Sequence, residues 1–150
     1  MANPSVSAGY ARGLLQLAVA RGAKAELMLE RSSILPGELQ DPDSRIALAR
    51  YVDLMMAGQM LCGDPALAIH YGEAVDLAEV SIAALICAAA PTVGEARVQM
   101  NRYGRLVFDE DSGRITEHLE LVRDEEGPWL QLSAAAFVEY PCLTESALTR

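Results

Sequence analysis

Aromatic side chains are scarce, at 5% of 150 residues, so aliphatic and methionine side chains must carry most of the packing. Lysine is nearly missing: 11 of the 12 basic residues are arginine, and Lys24 is the exception. Against them stand 21 Asp and Glu, a net charge of -9. Sequence-independent affinity for DNA comes from cations that displace counterions from phosphate, so the chain taken alone should avoid nucleic acid. Cys62, Cys87 and Cys142 are odd in number, widely spaced and set among apolar residues, which excludes a disulfide framework and any CxxC motif. A reducing cytoplasm is the expected home. The two histidines, His70 and His118, have no acid at ligand spacing, so no metal site is expected. Residues 1–10 lack the basic region and apolar core of a secretory signal. The most apolar run, residues 80–90, is shorter than the roughly 20 residues a bilayer needs and predicts a buried helix. A nucleophile with a base, paired carboxylates and a Gly-rich phosphate loop are all missing, so neither an enzyme nor a cofactor is expected.

What is present points to a folded α+β domain. Hydrophobic residues make up 51% and charged residues 22%, and the length suits one domain over residues 1–150. Leu14, Leu15, Leu17 and Ala18 recur at helical spacing before Arg21-Gly22, a usual helix stop. A second short helix is predicted over residues 24–31, with Leu27 and Met28 inward. The pair superficially resembles a helix-turn-helix, but Lys24, Glu26, Glu30 and Arg31 are not the basic and amide set that reads a major groove.

Asp43 or Ser44 is predicted to cap a long helix to about Leu61, with Arg45 in its first turn. Ile46, Ala49, Val52, Leu54, Met55, Met56 and Met60 cover more than one narrow stripe, so this helix should be central. Its methionines are either core filler or the lining of a pocket for an irregular apolar guest. Asp64-Pro65 starts a further helix that stops near Gly72, with His70 at the surface or hydrogen-bonded.

Pro91-Thr92-Val93-Gly94-Glu95-Ala96 writes a stop and a start side by side. Proline cannot continue the preceding helix, Thr92 can cap the next, and Glu95 lies where it can bond back. That next helix is predicted to reach about Leu106, with Ala96, Met100, Tyr103 and Val107 on one face and Arg97, Arg102 and Arg105 solvated. Beyond Phe108, residues 109–113 form an acidic turn whose spacing does not match an EF-hand loop. Alternation over 114–123 and again over 129–133 predicts a hairpin. The fold class expected is α+β, a mostly helical N-terminal two-thirds packed on a small antiparallel hairpin. Thr144 caps a helix that has no end before Arg150, so the chain is expected to be truncated there.

The order of these elements is specific. Leu35-Pro36, Asp41-Pro42-Asp43-Ser44-Arg45-Ile46, Ala49-Arg50-Tyr51-Val52, Gly63-Asp64-Pro65-Ala66-Leu67-Ala68-Ile69 and Ala90-Pro91-Thr92-Val93-Gly94-Glu95-Ala96 follow one another, with Asn101-Arg102-Tyr103 behind. This resembles the N-terminal, arabinose-binding-like effector domain of AraC-type transcription regulators over residues 8–135. It departs from that pattern where Ala66 to Ile69 lacks a glycine and where Leu77-Ala78-Glu79-Val80 replaces a glycine-rich step, so no ligand is carried over. The resemblance implies a cytoplasmic bacterial regulator that binds an effector and forms a homodimer through this half. It would bind promoter DNA only through a C-terminal pair of helix-turn-helix units, absent from these 150 residues.

The leading expectation is therefore an effector-sensing and dimerisation module for a small apolar or amphipathic ligand. Tyr51, Met55, Met56, Gln59 and Tyr103 are the candidate lining residues, and each is equally open to a plain core role. The alternative is a structural homodimerisation module without a ligand, its face formed by Ala83, Ala84 and the alanines at 88–90.

Overall fold

A three-residue strand near the N-terminus organises the described part of the chain. The computed structural model describes residues 4–103, 106, 108–109 and 119–132. Strand β1 (Ser5–Ser7) is the centre of a three-stranded antiparallel sheet, between β2 (Arg45–Ala47) and β3 (Phe108–Asp109). Val6 faces Ile46 and Phe108 in register, and Val6 and Ile46 are fully buried. The Arg45 guanidinium braces this sheet, donating to the Ser5 carbonyl at 2.9 Å and to the Leu106 carbonyl at 2.8 Å.

Helix α1 (Ala8–Ala20) begins as β1 ends. Its first amides would be orphaned at a buried helix start. They are satisfied from the loop before β2, Ala8 N–H reaching the Ser44 carbonyl at 2.7 Å and Gly9 N–H the Pro42 carbonyl at 3.0 Å. A tight turn leads to α2 (Ala25–Ser32), a 3-10 turn over Pro36–Leu39 leads to β2, and α3 (Leu48–Cys62) follows directly. The core joins α1, α2, α3 and α4 (Leu67–Ala74), with Leu14, Met28, Leu54, Met55 and Leu67 fully buried.

Two sequence expectations change here. Ser5–Ser7, which carries no strand signal in the sequence reading, is a strand ahead of α1, and Arg45 is not in the first turn of a helix. Asp43 and Ser44 do not cap α3: Asp41 accepts from the Asp43 amide at 3.0 Å and from the Ser44 hydroxyl at 3.3 Å, which holds them in a turn. Residues 45–47 then find their backbone partners on β1, 40 positions away in the Arg45–Ser5 contact. Local periodicity carries no trace of such a pairing.

The alanine-rich stretch also differs from a single buried helix. Its first residue, Val80, closes α5 (Leu77–Val80), and α6 (Ile82–Ala88) starts after Ser81, whose backbone is extended and whose hydroxyl caps α6 by accepting from Ala84 N–H at 3.1 Å. Ala83 and Ala84 are buried, while Ile82 and Leu85 are 59% and 47% exposed, so the helix covers the core on one side only. At the Pro91 corner Thr92 accepts from Glu95 N–H at 3.2 Å, as the sequence indicates, and α7 (Val93–Tyr103) ends three residues before Leu106.

Strands β4 (Leu119–Asp124) and β5 (Gly127–Leu132) form the expected hairpin, and β4 lies against α7. Its turn is tied by Asp124, which accepts from Trp129 Nε1 at 2.8 Å and from the amides of Glu126 and Gly127, holding its carboxyl below the usual range. The expected acidic turn falls mostly on residues 110–118, and the C-terminal helix start on 141–148, both outside the described residues. The architecture is α+β.

One ion pair gives the fold a pH dependence. Arg50 on α3 bonds both carboxylate oxygens of Glu38, at 2.9 and 2.6 Å, and also the Ser33 carbonyl. The Arg50 hydrogen bonds, with the Leu35 amide, lower the Glu38 pKa to about 2 from 4.5. Because the folded value lies below the unfolded one, this contribution is fully present above pH 4.5 and is lost as pH falls towards about 2. Glu38→Gln should therefore lower stability at neutral pH by about 0.5–1 kcal/mol, the scale of a half-exposed pair. Below pH 2 the variant and the parent chain should unfold alike in urea.

Candidate functional site

The chemistry-bearing side chains converge along α1. Gly9 and Gly13 stand one turn apart on it and let two other elements approach closely. A Cβ built at Gly9 would lie 2.2 Å from the Val80 carbonyl oxygen, and one at Gly13 would lie 2.8 Å from the Tyr71 hydroxyl. Between α1 and the segment from α4 through α5 lies a cleft of about 240 Å³, lined by Arg12, Gly13, Gln16, Tyr71, Asp76 and Glu79 among others.

The Tyr71 hydroxyl donates to the Tyr10 carbonyl at 2.9 Å, which pins α4 to α1 at the cleft floor. Burial pushes the Tyr71 phenol far up, and burial followed by the neighbouring Cys87 pushes Tyr10 up to about 12. Both phenols keep their protons at neutral pH, so they supply hydrogen-bonding surface and not a base. Arg12 is half-buried on the cleft wall and enters no ion pair among the described residues.

A second cleft of about 250 Å³ lies next to the first, lined by Pro42, Asp43, Ser81, Ile82 and Leu85. Glu79 and Val80 line both clefts. The short segment around Ser81 is thus a shared wall, and it leads straight into α6.

The residues singled out from the sequence do not gather here. Tyr51 and Met55 are buried in the core on α3, at 2% and 0% exposure. Met56 is 49% exposed, and the Gln59 amide donates to the Pro65 carbonyl at 3.1 Å. Tyr103 ends α7 with the Arg102 guanidinium 5.5 Å above its ring. None of the five lines either cleft described. Of the α3 methionines, Met55 alone is core, and Met60 accepts from Arg31 at 2.8 Å at the surface. The sequence reading overlooked Arg12, Gln16, Asp76 and Glu79. The available signal was the four-residue spacing of Gly9 and Gly13, which marks close helix contact but does not say with what.

At the far end of α1, Asp64 accepts from Arg21 at 2.6 Å and from His70 Nδ1 at 2.8 Å. Those bonds, His70 first, hold its carboxyl below the usual range. His70 is therefore a hydrogen-bonded tie between α4 and the turn before it. Among the described residues, no three His, Cys, Asp or Glu side chains converge to hold a metal ion, and no helix is long and apolar enough to cross a membrane.

The family profile of the arabinose-binding N-terminal domain of AraC transcription regulators matches residues 22–149. The chain belongs to this AraC-type family. Its place is that of an effector-binding, regulatory domain in transcription regulation. The ornithine utilization regulator of Pseudomonas aeruginosa is 25% identical over 120 residues, which is 80% of this chain and 34% of that protein. The chain thus spans about a third of the length of the curated relative it matches. The family match begins after α1, so Tyr71, Asp76 and Glu79 fall within it while Arg12, Gly13 and Gln16 lie outside.

Proposed function

We propose that this chain is the effector-sensing and dimerisation half of a cytoplasmic bacterial AraC-type regulator, with its effector in the cleft between α1 and α5. The observation that carries the reading is the wall formed by Glu79 and Val80, which lines that cleft on one side and continues through Ser81 into α6 on the other. A guest that prefers one position of α5 shifts α6 and α7 with it, since these short helices pack on each other in series. Ile82, Leu85, Val93 and Val98 are exposed on α6 and α7 and form the surface on which a second copy would assemble. In the whole regulator the same shift would bias promoter binding by a C-terminal helix-turn-helix half. The α3 set of Tyr51, Met55, Met56 and Gln59, together with Tyr103, is the second place for an effector. Its buried members would have to open to admit a guest.

The exposed apolar side chains of α6 and α7 also favour a second reading, a homodimerisation module with no ligand. A thermal-shift screen of the chain against small metabolites, paired with sedimentation, separates the two. An effector at 100 times its dissociation constant adds about 2.7 kcal/mol, a rise of roughly 5–11 °C for a domain of this size. That rise, abolished by Gln16→Trp at the cleft mouth, is the result expected. A dimer that no metabolite stabilises would overturn the sensing role and leave assembly alone.

A further inference from the structure

We propose that Met60 is a redox-modification site, where a peroxide-class oxidant turns the thioether into a sulfoxide and the Arg31 guanidinium binds the new oxygen. The site stands apart from the effector cleft and does not rest on it.

The fold treats the methionines of α2 and α3 unequally. Met28 and Met55 are fully buried, while Met56 is 49% and Met60 65% exposed. An oxidant reaches sulfur only where solvent does, so Met56 and Met60 are the reactive pair. They lie one turn apart on α3, yet their sulfurs differ in company. Arg31 Nη1, on α2, donates to the Met60 Sδ at 2.8 Å, and among the described residues no hydrogen bond reaches the Met56 sulfur. A thioether is a weak acceptor, so a guanidinium there is poorly matched to the reduced side chain. It is well matched to a sulfoxide, whose oxygen takes a charge-assisted hydrogen bond. The cation also opposes the other guest that paired thioethers attract, a soft metal ion, because Arg31 would stand beside it.

The step balances with hydrogen peroxide as oxidant. A sulfur lone pair attacks one peroxide oxygen, the S–O bond forms, the O–O bond breaks, and the leaving hydroxide takes the remaining proton to depart as water. Sulfur loses two electrons and the peroxide gains them. The two lone pairs of a free methionine sulfur are nearly equivalent, but Arg31 approaches the Met60 sulfur from one side only. One sulfoxide epimer should therefore predominate at Met60, and neither at Met56. A sulfoxide in a core disrupts packing, whereas this one lies at the surface and keeps a tie between α2 and α3. Sulfoxide reductases, one for each epimer, make the change reversible.

The test exposes the folded chain to hydrogen peroxide at neutral pH and follows each methionine by peptide mass spectrometry. Met56 and Met60 should gain one oxygen roughly tenfold faster than Met28 and Met55, as their exposure dictates. Treatment of the oxidised chain with each epimer-specific sulfoxide reductase then gives the epimer ratio at each site. About a threefold excess of one epimer is expected at Met60 and near-equal amounts at Met56. Arg31→Gln should bring Met60 to the ratio of Met56, and Arg31→Lys should keep part of the excess. The oxidised parent chain should keep its melting temperature, while oxidised Arg31→Gln should melt below its own unoxidised form. Equal epimers at Met60, or an excess that survives Arg31→Gln, overturns the assignment. So does a Met60 that oxidises no faster than Met55. Should Arg31→Gln fail to fold, the comparison of Met60 with Met56 in the parent chain decides alone, since it needs no variant.

Discussion

Gly9→Val should lower the stability of this chain by about 3 kcal/mol, the upper end of what overpacking costs when a backbone must move. On a domain of this size that is roughly 6–12 °C in Tm, measurable by circular dichroism. The cause is a single contact. The added Cβ would meet the Val80 carbonyl oxygen at 2.2 Å, and that oxygen is backbone, so no rotamer change relieves the clash. The α5 segment has to retreat, taking Glu79 with it and opening the cleft. Effector response should fall further than stability alone accounts for. Gly94→Ala is the control, because its nearest new neighbour is the Thr92 hydroxyl at 3.9 Å, and it should leave stability unchanged or raise it by about 0.4–1 kcal/mol. A Gly9→Val chain that melts with its parent would mean that α1 and α5 are not in contact in solution.

Met55→Ala should cost about 2–5 kcal/mol, the range for emptying a fully buried long side chain. Met56→Ala should stay within about 0.5 kcal/mol, as expected for a surface substitution. The two residues are adjacent on α3, yet one is 0% and the other 49% exposed. The contrast decides a question the sequence leaves open, whether the α3 methionines are filler or lining. If Met55→Ala keeps its Tm and instead changes the response to a metabolite, α3 is the effector surface and the cleft beside α1 is not.

Much of the helical half was legible because its signals are local. Arg21-Gly22 and Pro91-Thr92 mark their boundaries by backbone chemistry that acts within one turn, and both boundaries lie where those residues indicate, whereas α4 starts at Leu67, two residues past Pro65. The hairpin of β4 and β5 was legible for the same reason: alternation on both sides of Asp124-Glu125-Glu126-Gly127 is a short-range pattern. The candidate cleft was not legible. Its walls come from α1 and from α4 and α5, about 60 residues apart in the Tyr71–Tyr10 contact, and no window of sequence contains both. Choosing α3 as the lining followed from its methionines, whose adaptability suits a guest as well as it suits a core.

The amino-acid sequence by itself determined the α+β class, the helix stop at Arg21-Gly22, the Thr92 cap, the hairpin and the family to which the chain belongs, because each rests on chemistry between near neighbours or on the order of motifs. Only the tertiary structure decided that Ser5–Ser7 and Arg45–Ala47 are strands, that Met55 and Met56 have opposite environments, and that Arg12 faces the wall carrying Asp76 and Glu79. Backbone pairing and burial are settled by partners far along the chain. The residue types at 5–7 and 45–47 permit either fate, and the contact between them selects one.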